Sequence, residues 1–145
     1  VSFETDLLTA IGEYLEAQGV GLYDLTGAGY TTAVNPLYWD TLPSTPDRGT
    51  AMTLYPLGPP NGTLHEIGLQ LRIRGRPNNR VDTKTAADNA DDALDGLERV
   101  QWAGVEIVHV RRQSGTSLGP DSNNRIEVTR NYYIQYTRAT AHRTD

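Results

Sequence analysis

The segment HEIGLQLRIRGRPNN, residues 65–79, sets the frame for the whole chain. Taken two residues at a time it separates into Ile67, Leu69, Leu71 and Ile73 on one side and Gly68, Gln70, Arg72 and Arg74 on the other. A period of two is the mark of a strand with one face on a core. The second face is the unusual one. Arg72, Arg74, Arg76 and Arg80 put four positive charges into nine residues of a chain whose net charge is −5. Such a face could hold a nucleic acid, serve a catalytic centre or meet another protein.

Working outward, TAMTLYPL (50–57) reads as the strand before it, with GPPNGT as the turn between. After Gly75-Arg76-Pro77, VDTKTAADNADDALDGLERV predicts a helix whose apolar face is Ala86, Ala87, Ala90, Ala93, Leu94 and Leu97. Thr85-x-x-Asp88 is a possible capping box there, and Asp82 an equal candidate for the cap. Near the N-terminus, Phe3, Leu7, Ile11 and Leu15 recur at helical spacing, with Leu8 and Tyr14 widening the stripe and Gly19 as the stop. GLYDL (21–25) predicts a short strand. VEIVHVRR (105–112) and RIEVTRNYYIQYTR (125–138) predict two more, joined as an extended hairpin through the turn-rich QSGTSLGPDSNN. Helix, short strand, long loop, two strands, helix, two strands defines an α+β class. The expected form is an antiparallel sheet of about four main strands, two helices packed on one face, and long loops. At 145 residues one domain is expected, 1–145, with 139–145 an irregular tail.

Residues 27–50 contain three prolines and no sustained period. A loop of that length inside a compact domain tends to be functional. Tyr30, Tyr38 and Trp39 mark it as a contact surface, because a solvated loop has no use for them.

The charge is zoned. Residues 1–48 hold seven acidic side chains against one arginine, 81–98 hold six against one lysine, and the two remaining stretches are net basic. Zoning suits contact between protein surfaces more than wrapping of DNA, which favours a strong basic excess. A basic face and acidic faces on one molecule can also meet head-to-tail, and such contacts close into rings. With no cysteine, disulfides, thiolate metal sites and a cysteine nucleophile are all excluded. VSFETDLLTAIGEYL does not read as a secretion signal, and no stretch approaches the ~18 apolar residues of a membrane span. A soluble protein without membrane contact is expected.

Little in the chain suggests chemistry. Asp88, Asp91, Asp92 and Asp95 share a helical stripe opposite the Ala/Leu face, so a solvated wall or an acidic contact surface is expected rather than a Mg²⁺ site. His65, His109 and His142 are scattered without ligand spacing, and Gly27-Ala28-Gly29 is too short for a dinucleotide fingerprint. No catalytic residue, cofactor or metal site is expected, and no enzyme activity. Arg72 and Arg74 on a sheet resemble single-strand binders in outline, but no aromatic lies beside them on the strand and the pI is about 5.1. Protein contact is the preferred reading: arginine pairs its planar fork with carboxylates at interfaces. Arg72, Arg74 and Arg76 are the candidate interface residues.

TLPSTPDRGTAMTLYPLGPP (41–60), then LQLRIRGRPNN, then AADNADDALDGL occur in an order that resembles the tail terminator proteins of long-tailed bacteriophages, often labelled minor capsid or tail completion proteins. The N-terminal helix and GLYDL…GAGYT fit the same pattern, so the resemblance spans roughly residues 3–138. It implies a structural virion protein assembled as a ring, hexameric in that family. The ring caps the tail tube, ends its polymerisation and joins the head–tail connector or stopper, with genomic DNA passing through the lumen. The partners implied are other copies of the chain, the major tail tube protein and the connector. Arg72, Arg74 and Arg76 would then meet a neighbouring subunit or the tube, and Tyr30, Tyr38 and Trp39 a neighbour or the head side. Another head–tail joining protein, a stopper or completion factor, and a small nucleic-acid-binding module are the alternatives.

Overall fold

A computed structural model describes residues 2–24, 26, 30 and 34–144. The element order is α1 (Phe3–Ala17), β1 (Leu22–Tyr23), β2 (Pro36–Trp39), β3 (Gly49–Pro56), β4 (Leu64–Pro77), α2 (Arg80–Leu94), β5 (Glu98–Trp102), β6 (Val105–Pro120) and β7 (Arg125–Thr137). Gly27-Ala28-Gly29 lies outside the described residues, as does part of the expected 27–50 loop.

The sheet has seven strands in the order β1-β2-β3-β4-β7-β6-β5. It is mixed, because β1 pairs with β2 and β2 with β3 in parallel, while every other pairing is antiparallel. The expected antiparallel sheet of about four strands is therefore corrected in both number and direction. The missing strands are β2 and β5, and each lacks the usual local signal. β2 is the four residues PLYW, opened by a proline, which a strand tolerates at its first position. β5 turns into β6 through Ala103-Gly104, both at positive φ (53° and 76°). That is the backbone of a two-residue hairpin turn, but an alanine holds the place where Asn or Asp would announce it.

The sheet is also curved. α1 touches β1 and β3 toward one edge and β5 at the other. Laid flat, six strand spacings would put β1 and β5 about 29 Å apart, beyond the ~22 Å length of a 15-residue helix. The sheet curls around the helices as a half-barrel. Inside the curl, Leu7, Ile11 and Leu15 of α1 and Ala87, Ala90 and Leu94 of α2 meet Leu69, Leu71 and Ile73 of β4 and Tyr132 and Ile134 of β7, all fully buried. The period-two reading of β4 is kept in this packing, and its apolar side is the core side. No described helix is long and apolar enough to cross a membrane.

Ser2 caps α1, its side chain accepting from the Thr5 amide, and Gly19 follows the helix at φ 78°. At the start of α2 the cap is Asn79, whose Oδ1 accepts from the Asp82 amide at 3.1 Å. Neither Thr85 nor Asp82 has that role. Asp82 reaches back instead to accept from the Arg76 amide at 2.9 Å. The turn-rich 113–120 stretch is strand, not loop. β6 runs on to Pro120, and the reversal is confined to 121–124, where Asp121 Oδ1 accepts from the amides of Asn123 and Arg125.

Candidate functional site

The second face of β4, opposite the helices, carries the three arginines to different ends. Arg72 is exposed, its side chain half accessible, and its Nε lies 2.6 Å from Glu127 Oε1 across the pair with β7. Arg76 is exposed at the end of the strand. Arg74 is only 4% exposed. Its guanidinium donates to the carbonyl oxygens of Asp47 (2.7 Å), Pro43 (2.5 Å) and Pro46 (3.0 Å). Burial first, then the charge of Arg125, pull Arg74 below the ordinary arginine range, while Glu127 and Asp121 push back.

Those bonds explain the segment 40–48. A parallel step from β2 to β3 must carry the chain back to the start of the next strand, a crossover that ordinarily takes a dozen residues or more and a helix. Here nine residues do it, leaving their carbonyls without regular partners. Arg74 takes three of them. Arg125, also 4% exposed, donates from Nη1 to the Ser44 carbonyl (2.6 Å) and to Asp47 Oδ1 (3.3 Å), while its Nε holds Asp121 Oδ2 at 2.8 Å. Two buried arginines from neighbouring strands thus serve as the floor of the Leu-Pro-x-x-Pro-Asp loop. Sequence reading missed Arg125 altogether. Its one signal was an arginine opening a strand directly after Asp-Ser-Asn-Asn, where a turn carboxylate stands four residues back.

Tyr38 and Trp39 belong to β2 rather than to a loop, and Tyr30 sits beside them. The Tyr30 and Tyr38 rings meet edge to face with centroids 5.1 Å apart. The Tyr30 hydroxyl donates to the Leu37 carbonyl and accepts from the Asp24 amide. Trp39 packs its ring against the core and has a buried Nε1 without a partner among the described residues. All three are half-buried.

The acidic stripe of α2 is divided. Asp88 and Asp92 are exposed, but Asp91 is 9% exposed and faces the sheet. It accepts from the Tyr132 hydroxyl, from Arg112 Nη1 at 3.0 Å and from Arg130 Nε at 3.4 Å. Burial, then the bond to Asp91, push the Tyr132 hydroxyl far above the tyrosine range. Asp95 adds a cap for the Arg112 amide at 2.8 Å. The expectation that the stripe points away from the core fails for Asp91, because it stands one turn after Ala87 and three residues before Leu94, on the flank of the face that α2 buries. His65 stacks on Tyr136 and bonds the Arg138 carbonyl at 2.9 Å, a packing role. Among the described residues no group of three or more His, Cys, Asp or Glu side chains could hold a metal ion.

The bonds described tie the 40–48 loop, the 121–124 turn and α2 to the sheet, and leave Arg72, Arg76, Asp88 and Asp92 exposed. A model of the bacteriophage tail terminator proteins matches residues 14–138, most of the chain, and the chain belongs to that family. It is a structural component of a phage-type tail and virion, associating with other tail components; the family is not a class of enzymes. Among solved structures, a chain from the virion of a native gene transfer agent particle is similar in fold at 13% identity and a TM-score of 0.65, covering 94% of this chain and 98% of its own. A second solved chain, of no stated function, shares 10% identity with a TM-score of 0.57, and 94% of each chain is covered. No curated protein matches.

Proposed function

We propose that copies of this chain close into a ring, hexameric as in the resemblance drawn above, that caps the tail tube and ends its polymerisation. The ring joins tail to head at the connector or stopper, and genomic DNA passes through its lumen without specific binding. The observation that carries this reading is the family match across residues 14–138. Size supports the ring. A 145-residue subunit has a radius of gyration of only ~15 Å, too small to surround a duplex alone. The net charge of −5 supports the passage of DNA, since phosphate contacts would otherwise dominate affinity.

Arg72 and Arg76, exposed on β4, are the proposed contacts with a neighbouring subunit or with the major tail tube protein. Arg74 would act on such a contact through the 40–48 loop that it holds. Tyr30, Tyr38 and Trp39 would support the surface turned to a neighbour or to the head side. The test is to polymerise purified tube protein with and without this chain and to measure lengths by electron microscopy. Short tubes bearing a terminal disc are expected. Growth to the same lengths with and without the chain would overturn the reading.

A further inference from the structure

Val81 and Leu118 are the only exposed large hydrophobic side chains among the described residues, at 71% and 48% accessibility. They lie at the same end of the molecule. Val81 lines a cleft of about 430 Å³ that shares Arg80, Pro120 and Ile126 with a second cleft of about 160 Å³; Leu118 falls between Ser117 and Gly119, which line the second. Arg80 and Lys84 stand over these clefts, both exposed, and neither makes an ion pair among the described residues. Of the nearby carboxylates, Asp82 is held by Arg48 and the Arg76 amide and Asp121 by Arg125, while Asp88, one turn beyond Lys84 on α2, is exposed. The result is an apolar, creviced centre with a cationic rim.

We infer that this end of the molecule docks a segment of a different protein, one that presents an apolar side chain flanked by carboxylates. Charge complementarity selects the carboxylates, and the crevices select the apolar anchor. A second copy that meets this patch with its own is a poor occupant, because Val81 and Leu118 would face their own likenesses and Arg80 and Lys84 theirs, an arrangement that like charges oppose. A head-to-tail contact between copies would set the patch against another face and is read as an altered self-assembly mass. Nucleic acid is a poor occupant as well, because phosphate contacts call for cations and polar donors and leave the apolar centre wet. The inference rests on the tail reading above and deepens it, since the occupant is then a neighbouring virion protein.

Two double variants separate the possibilities: Arg80→Glu with Lys84→Glu, and Val81→Ser with Leu118→Ser. Each is assayed by co-sedimentation with isolated tail tubes and, separately, with isolated heads, while native mass reports self-assembly. The expected result is that both variants lose about tenfold or more in binding to the same one of the two particles, with self-assembly mass and thermal unfolding unchanged. Wild-type binding by either variant, or a wild-type chain that binds neither particle, would overturn the inference. So would an altered self-assembly mass, which would make the patch a contact between copies. Loss in the charge variant alone, matched by loss of binding to a short DNA duplex, would make it a phosphate surface. Failure of the wild type to form a ring would count against the proposed function, whatever the patch does.

Discussion

Arg74→Ala should lower stability by about 3 kcal/mol, the loss of three bonds from one charged donor discounted for the water that reaches the exposed Pro43. For a chain of this size that is a fall of roughly 10 °C in the unfolding temperature. Arg74→Lys should recover only part, because one ammonium cannot span three carbonyls set around a planar fork. Arg72→Gln makes the contrast. Its side chain is half exposed, although its partner Glu127 is buried, so a smaller loss of about 1–2 kcal/mol is expected. Thermal or urea unfolding of the three variants checks all of this. An Arg74→Ala protein as stable as wild type would show that the 40–48 loop does not depend on its arginine floor. It follows that reversing Arg74 to Glu is no clean probe of a surface contact, since the change would disturb the fold itself.

The second large effect lies on α2. Asp91→Ala should cost about 2–3 kcal/mol, because the fully buried Tyr132 hydroxyl loses its acceptor and Arg130 loses its carboxylate. Asp88→Ala and Asp92→Ala, on the exposed part of the same stripe, should stay within about 0.5 kcal/mol of wild type. Adding Tyr132→Phe to Asp91→Ala should relieve part of the loss, since no buried hydroxyl is then left without a partner. Equal effects at Asp88, Asp91 and Asp92 would mean that the stripe is a uniform solvated face.

What could be read from the sequence follows from which forces act locally. α1, α2 and β4 are legible because their apolar periodicity is set by one dominant burial surface. β2 is not, because four residues opened by a proline carry no period. The β5–β6 turn is hidden because Ala103 adopts a positive φ that its side chain does not favour. The charged residues show the limit more clearly. A strand arginine on the non-core face normally meets solvent, and Arg72 does. Arg74, two residues on, is buried only because the 40–48 crossover lies over it, a fact of topology and not of spacing. Asp91 is a different case: one turn after Ala87 and three residues before Leu94, it lies on the flank of the buried face by ordinary helical spacing, and grouping it with Asp88, Asp92 and Asp95 by charge hid that. The order of the Leu-Pro-x-x-Pro-Asp loop, the QLRIRGR strand and the acidic helix carried the family resemblance. The structure adds a physical reason for part of that order, since Arg74 of the strand holds the loop.

The most direct test of the central claim is the native mass of the purified chain across concentration and salt, alone and beside purified tail tubes. A ring of about six copies, or a monomer that becomes one on meeting the tube end, is the predicted result. A monomer that stays monomeric and leaves the tube untouched at every concentration would contradict it.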